Sequence, residues 1–275
     1  MRTPGLRSFL QAGVSLVEIM VAMVIGLFIV FLATTIYMQG LSSLSFRMGQ
    51  SENLGNSRQA LGLLDAEFSK AGYRRDPSQA LLDAFPSDAM AYPNGCQFAQ
   101  GQAIYAADVQ TICMRFQPRD AAETDCAGTP ANLGTAGPYD APVPAPAPAV
   151  GAGMFVEKYM VENGALVCKA AADTVPVVDG VRAVHFEFGV DQQTKPGAVR
   201  QVSAFISTLP ASTESIRSLR YALLLQSSGK VTQGMTSSIC DRWSAIGGNA
   251  ASCDASGAQL QQLAIGTLSL RNLMP

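Results

Sequence analysis

The first residues equipped for chemistry are Gly13-Val14-Ser15-Leu16-Val17-Glu18. Ala12 and Gly13 give the small-residue pattern of a peptidase site. Glu18 is the only formal charge in an apolar run that continues to Met38. An ionised carboxylate inside a membrane span is costly, so a lone glutamate there is expected to serve a function; the bland alternative is a charge snorkelling to the headgroups. Cys96, Cys113, Cys126, Cys168, Cys240 and Cys253 form the second group. In an oxidising compartment an even number of thiols points to disulfides. No C-x-x-C pair occurs and His185 is the single histidine, so a zinc site is poorly supplied, and neither metal nor cofactor is expected. Any Ser-His-Asp arrangement would depend on His185 alone. With no G-x-S-x-G elbow, phosphate-binding G-x-x-x-x-G-K, H-E-x-x-H or EF-hand loop, no catalytic residue is assigned and no enzyme is expected.

These groups need elements to hold them. Residues 19–36 carry no charge and no proline. About 20 apolar residues cross a bilayer as a helix, so Val14 to Met38 is long enough to span with some tilt. The leader, residues 1–13, contains Arg2 and Arg7 and no acid, which keeps the N-terminus cytoplasmic and sends the rest outward. A conventional signal peptide fits less well, because its small-residue cleavage site follows the apolar stretch, whereas Ala12-Gly13 precedes it. Cleavage after Gly13 retains the helix. From Gln39 to Ala71 there is no proline, and Leu41, Leu44, Met48, Leu54, Leu61, Leu64 and Phe68 are spaced to share one helical face. A continuous helix over 14–71 would be roughly 85 Å long and need a partner along that stripe. Gly26, Gly40, Gly49, Gly55 and Gly62 weaken it by about 1 kcal/mol each relative to alanine, which allows local bending. Gly72-Tyr73 marks its end, with Pro77 beyond.

The remaining residues, 74–275, are expected to form one β-rich domain. Val181 to Val190 alternates, with Val184, Phe186 and Phe188 on one face and His185 and Glu187 on a solvent face. Leu219, Tyr221, Leu223 and Leu225 form a second apolar face. Residues 107–116, 154–160 and 263–271 are weaker strand candidates. Residues 130–153 are rich in Pro, Ala and Gly, as an extended, solvated insertion requires. Net charge is −2, so no footprint for nucleic acid exists, and Arg74-Arg75 and Arg217 with Arg220 read as solvated faces. The six cysteines allow several pairings; the nearest-neighbour scheme, Cys96 with Cys113, Cys126 with Cys168 and Cys240 with Cys253, is the working expectation. Its last pair would close a loop with little apolar content.

The basic leader, the small residues at 12 and 13, Glu18 and the uninterrupted apolar helix together resemble a type IV prepilin N-terminus. Residues 64–73 (LDAEFSKAGY), Val178-Asp179-Gly180-Val181 with Gly189-Val190-Asp191, Cys126 with Cys168 after Leu166, and Leu268-Ser269-Leu270-Arg271-Asn272 look like PilW-type minor pilins. The resemblance implies an α+β fold: a long N-terminal helix, membrane-spanning over 14–38 and periplasmic over 39–73, packed on an antiparallel sheet within 74–275. It implies cleavage by a prepilin peptidase between Gly13 and Val14 and N-methylation of the new amine, although the family usually has phenylalanine where this chain has Val14. It also implies that Glu18 of one helix meets the amine of its neighbour during assembly. The implied partners are other minor pilins and the major pilin. The implied location is the inner membrane with a periplasmic domain, then the pilus, at its tip. A minor pseudopilin of a type II secretion system shares the segment and the fold, and a tip adhesin or ligand-binding module is the reading from another class.

Overall fold

The computed structural model describes residues 13, 15–88, 90–134, 137, 139–140, 153–171, 173–191, 201–210, 214–230, 238–253 and 259–274. Val14 and most of the Pro/Ala-rich insertion lie outside them. The chain divides into two compact units, residues 1–47 and 48–275. Helix α1 runs Leu16–Phe68 without a break, through Gly26, Gly40, Gly55 and Gly62.

In the first unit α1 is long and apolar enough to cross a membrane, and none of that apolar window is buried. Thr34 and Thr35 donate their hydroxyls to the carbonyls of Val30 and Leu32, both at 2.8 Å, so neither leaves a polar group unsatisfied in the apolar span.

The second unit is α+β. A short helix, α2 (Leu81–Ala84), precedes a five-stranded antiparallel meander of β1 (Ile104–Asp108), β2 (Thr111–Phe116), β3 (Phe155–Glu162), β4 (Ala165–Ala170) and β5 (Asp173–Asp179). A four-stranded antiparallel sheet follows, in the order β7-β6-β8-β9: β6 (Val181–Asp191), β7 (Ala204–Ile206), β8 (Ser215–Lys230) and β9 (Gln259–Ser269). Helix α3 (Ser238–Ala245) lies between β8 and β9 in sequence. Both sheets contribute to one core. Its hub is Phe68, with ring centroids 5.4 Å from Tyr159 on β3 and 6.0 Å from both Phe186 on β6 and Tyr221 on β8.

The buried face of α1 differs from the expected leucine stripe. It consists of Gly49, Asn53, Ser57, Ala60, Leu64 and Phe68, while Met48 and Leu54 are exposed. Small side chains let helix and sheet approach closely, and polar ones then bond across the gap. Asn53 donates to the Leu260 carbonyl at 2.8 Å, Gln59 to that of Val177 at 3.3 Å, and Asp65 accepts from the Tyr221 hydroxyl at 2.6 Å. The regular helix stops at Phe68, four residues before Gly72. Gly72 has φ +73° and packs so tightly on Leu273 that a β-carbon would collide with it. Asn272 then donates to the Ser69 and Ala71 carbonyls at 2.9 and 3.2 Å, satisfying groups that the helix end leaves open.

Residues 107–116 are not a single strand. Asp108 accepts from the Gln110 N–H at 2.7 Å and from the Thr111 hydroxyl, turning the chain into the β1–β2 hairpin. The expected strands at 154–160 and 263–271 lie at 155–162 and 259–269. The bridges Cys96–Cys113, Cys126–Cys168 and Cys240–Cys253 join nearest neighbours in sequence.

Candidate functional site

Two places concentrate the chemistry-bearing residues, one in each unit. In the first, Gly13 and Ser15 are exposed, and the Ser15 carbonyl accepts the Ile19 N–H at 3.2 Å, starting α1 around Glu18. Glu18 sits in the first turn, where its negative charge opposes the partial positive end of the helix. Its side chain is exposed and has no hydrogen bond or ion pair among the described residues. The flanking surface is apolar throughout: Leu16, Met23, Leu27 and Phe28 are each 60% or more exposed. No other formal charge occurs between Glu18 and Arg47. A surface of this kind is unstable in water and needs lipid or other helices around it. Val14, the expected processing residue, lies outside the described residues.

In the second unit the disulfides organise the loops, and three buried ionisable side chains, Arg115, Glu157 and His185, lie in their surroundings. Arg115 on β2 is fully buried. Its guanidinium donates to the carbonyls of Gln102, Pro86, Phe85 and Ala99, pairs with Asp88 at 3.5 Å, and stacks over Phe98 at 4.6 Å. The planar fork with five donors suits this task. It folds the irregular segment 85–102 around itself, and Cys96–Cys113 ties that segment to β2. Burial lowers the Arg115 pKa, an effect opposed by Asp88, and pushes the neighbouring Tyr92 hydroxyl up to about 12.

Glu157 on β3 is also fully buried. It accepts the Cys126 N–H and the Tyr159 hydroxyl, each at 2.8 Å. Burial, aided by the field of Glu67, raises its carboxyl to about 7. Cys126, Glu157 and Cys168 are the grouping among the described residues whose ligand atoms lie within 4.8 Å of one another, but the two sulfurs are bonded to each other, which leaves no thiolate for a metal.

His185 does not face solvent as the alternation of its strand implied. It is 2% exposed, because the segment closed by Cys240–Cys253 covers this side of β6 and β8. Trp243, the chain's single tryptophan, meets the imidazole edge to face at 6.4 Å among Ala183, Ala222 and Leu224. Neither ring nitrogen has a hydrogen-bond partner, and burial lowers the pKa of His185. Thus no carboxylate or hydroxyl among the described residues hydrogen-bonds to it, and only the field of Glu187 opposes the effect of burial.

In each arginine pair one member is buried and the other stays partly exposed, so neither pair is a fully solvated face. Arg75 is 6% exposed, and Arg217 is buried beside Asp191, where it also donates to the Leu273 carbonyl; Arg220 pairs with Glu187 at 2.8 Å and stacks over Phe205. A cleft of about 660 Å³ lies between the 97–107 segment and residues 209–210 and 214–217, with Gln97, Gln100, Tyr105 and Glu214 in its walls.

Sequence reasoning located Glu18 and the six cysteines but missed Arg115, Glu157 and Trp243. For Arg115 a signal existed: it is a single charge inside a run of strand-forming apolar residues, Ile112-Cys113-Met114-Arg115-Phe116, whereas Glu157 sits beside Lys158 and reads as part of an ordinary charged pair. No protein-family model matches this chain, and a comparison with curated proteins returns no match.

Proposed function

We propose that the protein is a minor pilin of the PilW type, held in the inner membrane by the first half of α1 until it joins a minor-pilin complex that primes or caps a type IV pilus. The observation that carries this reading is the apolar first half of α1, unburied by the described residues, bearing one carboxylate, Glu18, unpaired among them and close after the proposed cleavage point. The second half of the same helix is built into a disulfide-bonded antiparallel domain.

The mechanism rests on charge pairing. A prepilin peptidase cutting between Gly13 and Val14 creates a cationic amine. In a membrane-like medium that amine and the Glu18 carboxylate are each costly alone and compatible when paired. The resemblance to pilins implies that the pair forms between neighbouring subunits, Glu18 of one helix meeting the amine of the next, which would fix their axial stagger. The bridged domain, placed in the periplasm, then presents its surfaces to the other minor pilins.

The test is removal of the coding region, followed by counting of surface pili and, separately, of secreted substrates. Loss of pili with secretion intact supports the pilin. Loss of secretion with pili intact supports the pseudopilin instead. Mass spectrometry of the native protein is expected to find Val14, methylated, as the first residue; a native N-terminus at Met1 in piliated cells contradicts the proposal.

A further inference from the structure

Glu157 has no part in assembly through the helix, yet its surroundings are reactive. One of its carboxylate oxygens and both sulfurs of Cys126–Cys168 fall within 4.8 Å of one another, and the carboxylate accepts the backbone N–H of Cys126 itself. Cys168 is fully buried while Cys126 is partly exposed. An external thiol or disulfide therefore meets the Cys126 sulfur, and the Cys168 thiol must exchange its proton inside the domain. The other ionisable groups around Glu157 are engaged. Glu67 is paired with Lys70 at 2.6 Å, Asp125 accepts the N–H groups of Ala127 and Thr129, and the Tyr159 hydroxyl donates to Glu157.

We propose that Glu157 is the internal proton acceptor and donor of the Cys126–Cys168 bridge, so that the domain itself promotes closing and opening of this one disulfide. In closing, Cys126 is first joined as a mixed disulfide to a carrier, either glutathione or a thiol–disulfide oxidoreductase. The Glu157 carboxylate takes the proton of the Cys168 thiol, and the Cys168 sulfur attacks the Cys126 sulfur. The new S–S bond forms, the Cys126–carrier bond breaks, and its electron pair leaves on the carrier thiolate. The cysteine pair is oxidised by two electrons and the carrier is reduced. Opening is the reverse: a thiolate attacks Cys126, and protonated Glu157 returns its proton to the departing Cys168 thiolate. A carboxyl raised to about 7 populates both forms at neutral pH, as a group serving in both directions requires.

The test uses the full chain in detergent micelles. Oxidised protein is exposed to reduced glutathione at constant thiolate concentration from pH 6 to 9, quenched by alkylation, and each bridge is read by peptide mass spectrometry. Opening of Cys126–Cys168 is expected to slow about fivefold between pH 7 and pH 8, following the protonated fraction of a single acid, while Cys96–Cys113 and Cys240–Cys253 show no such inflection. Glu157→Gln should abolish the inflection. Tyr159→Phe, which removes a hydrogen bond favouring the ionised form, should move it to higher pH. The other two bridges are internal controls, so wild-type protein decides the matter even where a variant fails to fold. A flat Cys126–Cys168 profile in the wild type, or an unchanged inflection in Glu157→Gln, overturns the proposal.

Discussion

The two halves of α1 present opposite surfaces. Before Met48 the helix exposes large apolar side chains in every direction, and after it the buried face is built from glycine, asparagine, serine and alanine, ending in Leu64 and Phe68. The difference shows where each half obtains its stability. A helix that closely approaches its own sheet needs small residues and cross-bonding amides at the contact. A helix that keeps its leucines and phenylalanines on the outside needs its apolar contacts from elsewhere, in lipid or in other helices.

Two phenylalanines make the sharpest version of this contrast. Phe68→Ala removes the ring shared by Tyr159, Phe186 and Tyr221 and should cost the domain about 3–5 kcal/mol in denaturant unfolding. Phe28→Ala, at a position 60% exposed, should change domain stability by less than about 0.5 kcal/mol. Equal effects would break the comparison. A slightly smaller loss, about 3 kcal/mol, is expected for Arg115→Met, which leaves buried Asp88 without its countercharge and takes a donor from each of four carbonyls. Proteolysis should then cut first within 85–102. Cleavage elsewhere, or unchanged stability, would show that the guanidinium does not organise that segment.

The smallest effect is pH-dependent. The pKa of His185 in the folded state lies below its ordinary 6.5, so the fold favours the neutral ring. The corresponding stability is present above 6.5 and is lost as pH falls below it. His185→Leu should therefore reduce the loss of stability between pH 7 and pH 5. The fluorescence of Trp243, beside this ring, reports the transition directly. Identical pH profiles for variant and wild type would contradict the assignment.

The sequence revealed some of these elements better than others, for physical reasons. β6 and β8 were readable because each carries large apolar residues at every second position, Val184, Phe186 and Phe188 on β6 and Leu219, Tyr221, Leu223 and Leu225 on β8. β5 was not, since Pro176 argues against a strand; it is tolerated because β5 is a sheet edge and needs no inward donor at that position. The contact face of α1 was read correctly at Leu64 and Phe68 but missed over 49–60, where its small and polar residues carry no hydrophobic period. The exposure of His185 was misread because the cover over it comes from residues 238–253, more than fifty positions away, held by a bridge whose effect on β6 no local pattern records. Glu18 was conspicuous for the opposite reason: a lone charge in an apolar run stands out without knowledge of the fold.

That charge is the centre of the proposed assembly role, and Glu18→Gln tests it while keeping the side chain's size. The variant should insert in the membrane and lose its leader as the wild type does, so that any failure lies in assembly. The measurement is its co-purification with the other minor pilins from detergent-solubilised membranes, alongside counted pili. The account requires both to fall well below wild type; wild-type levels of both would make Glu18 an interfacial charge and contradict the proposed pairing.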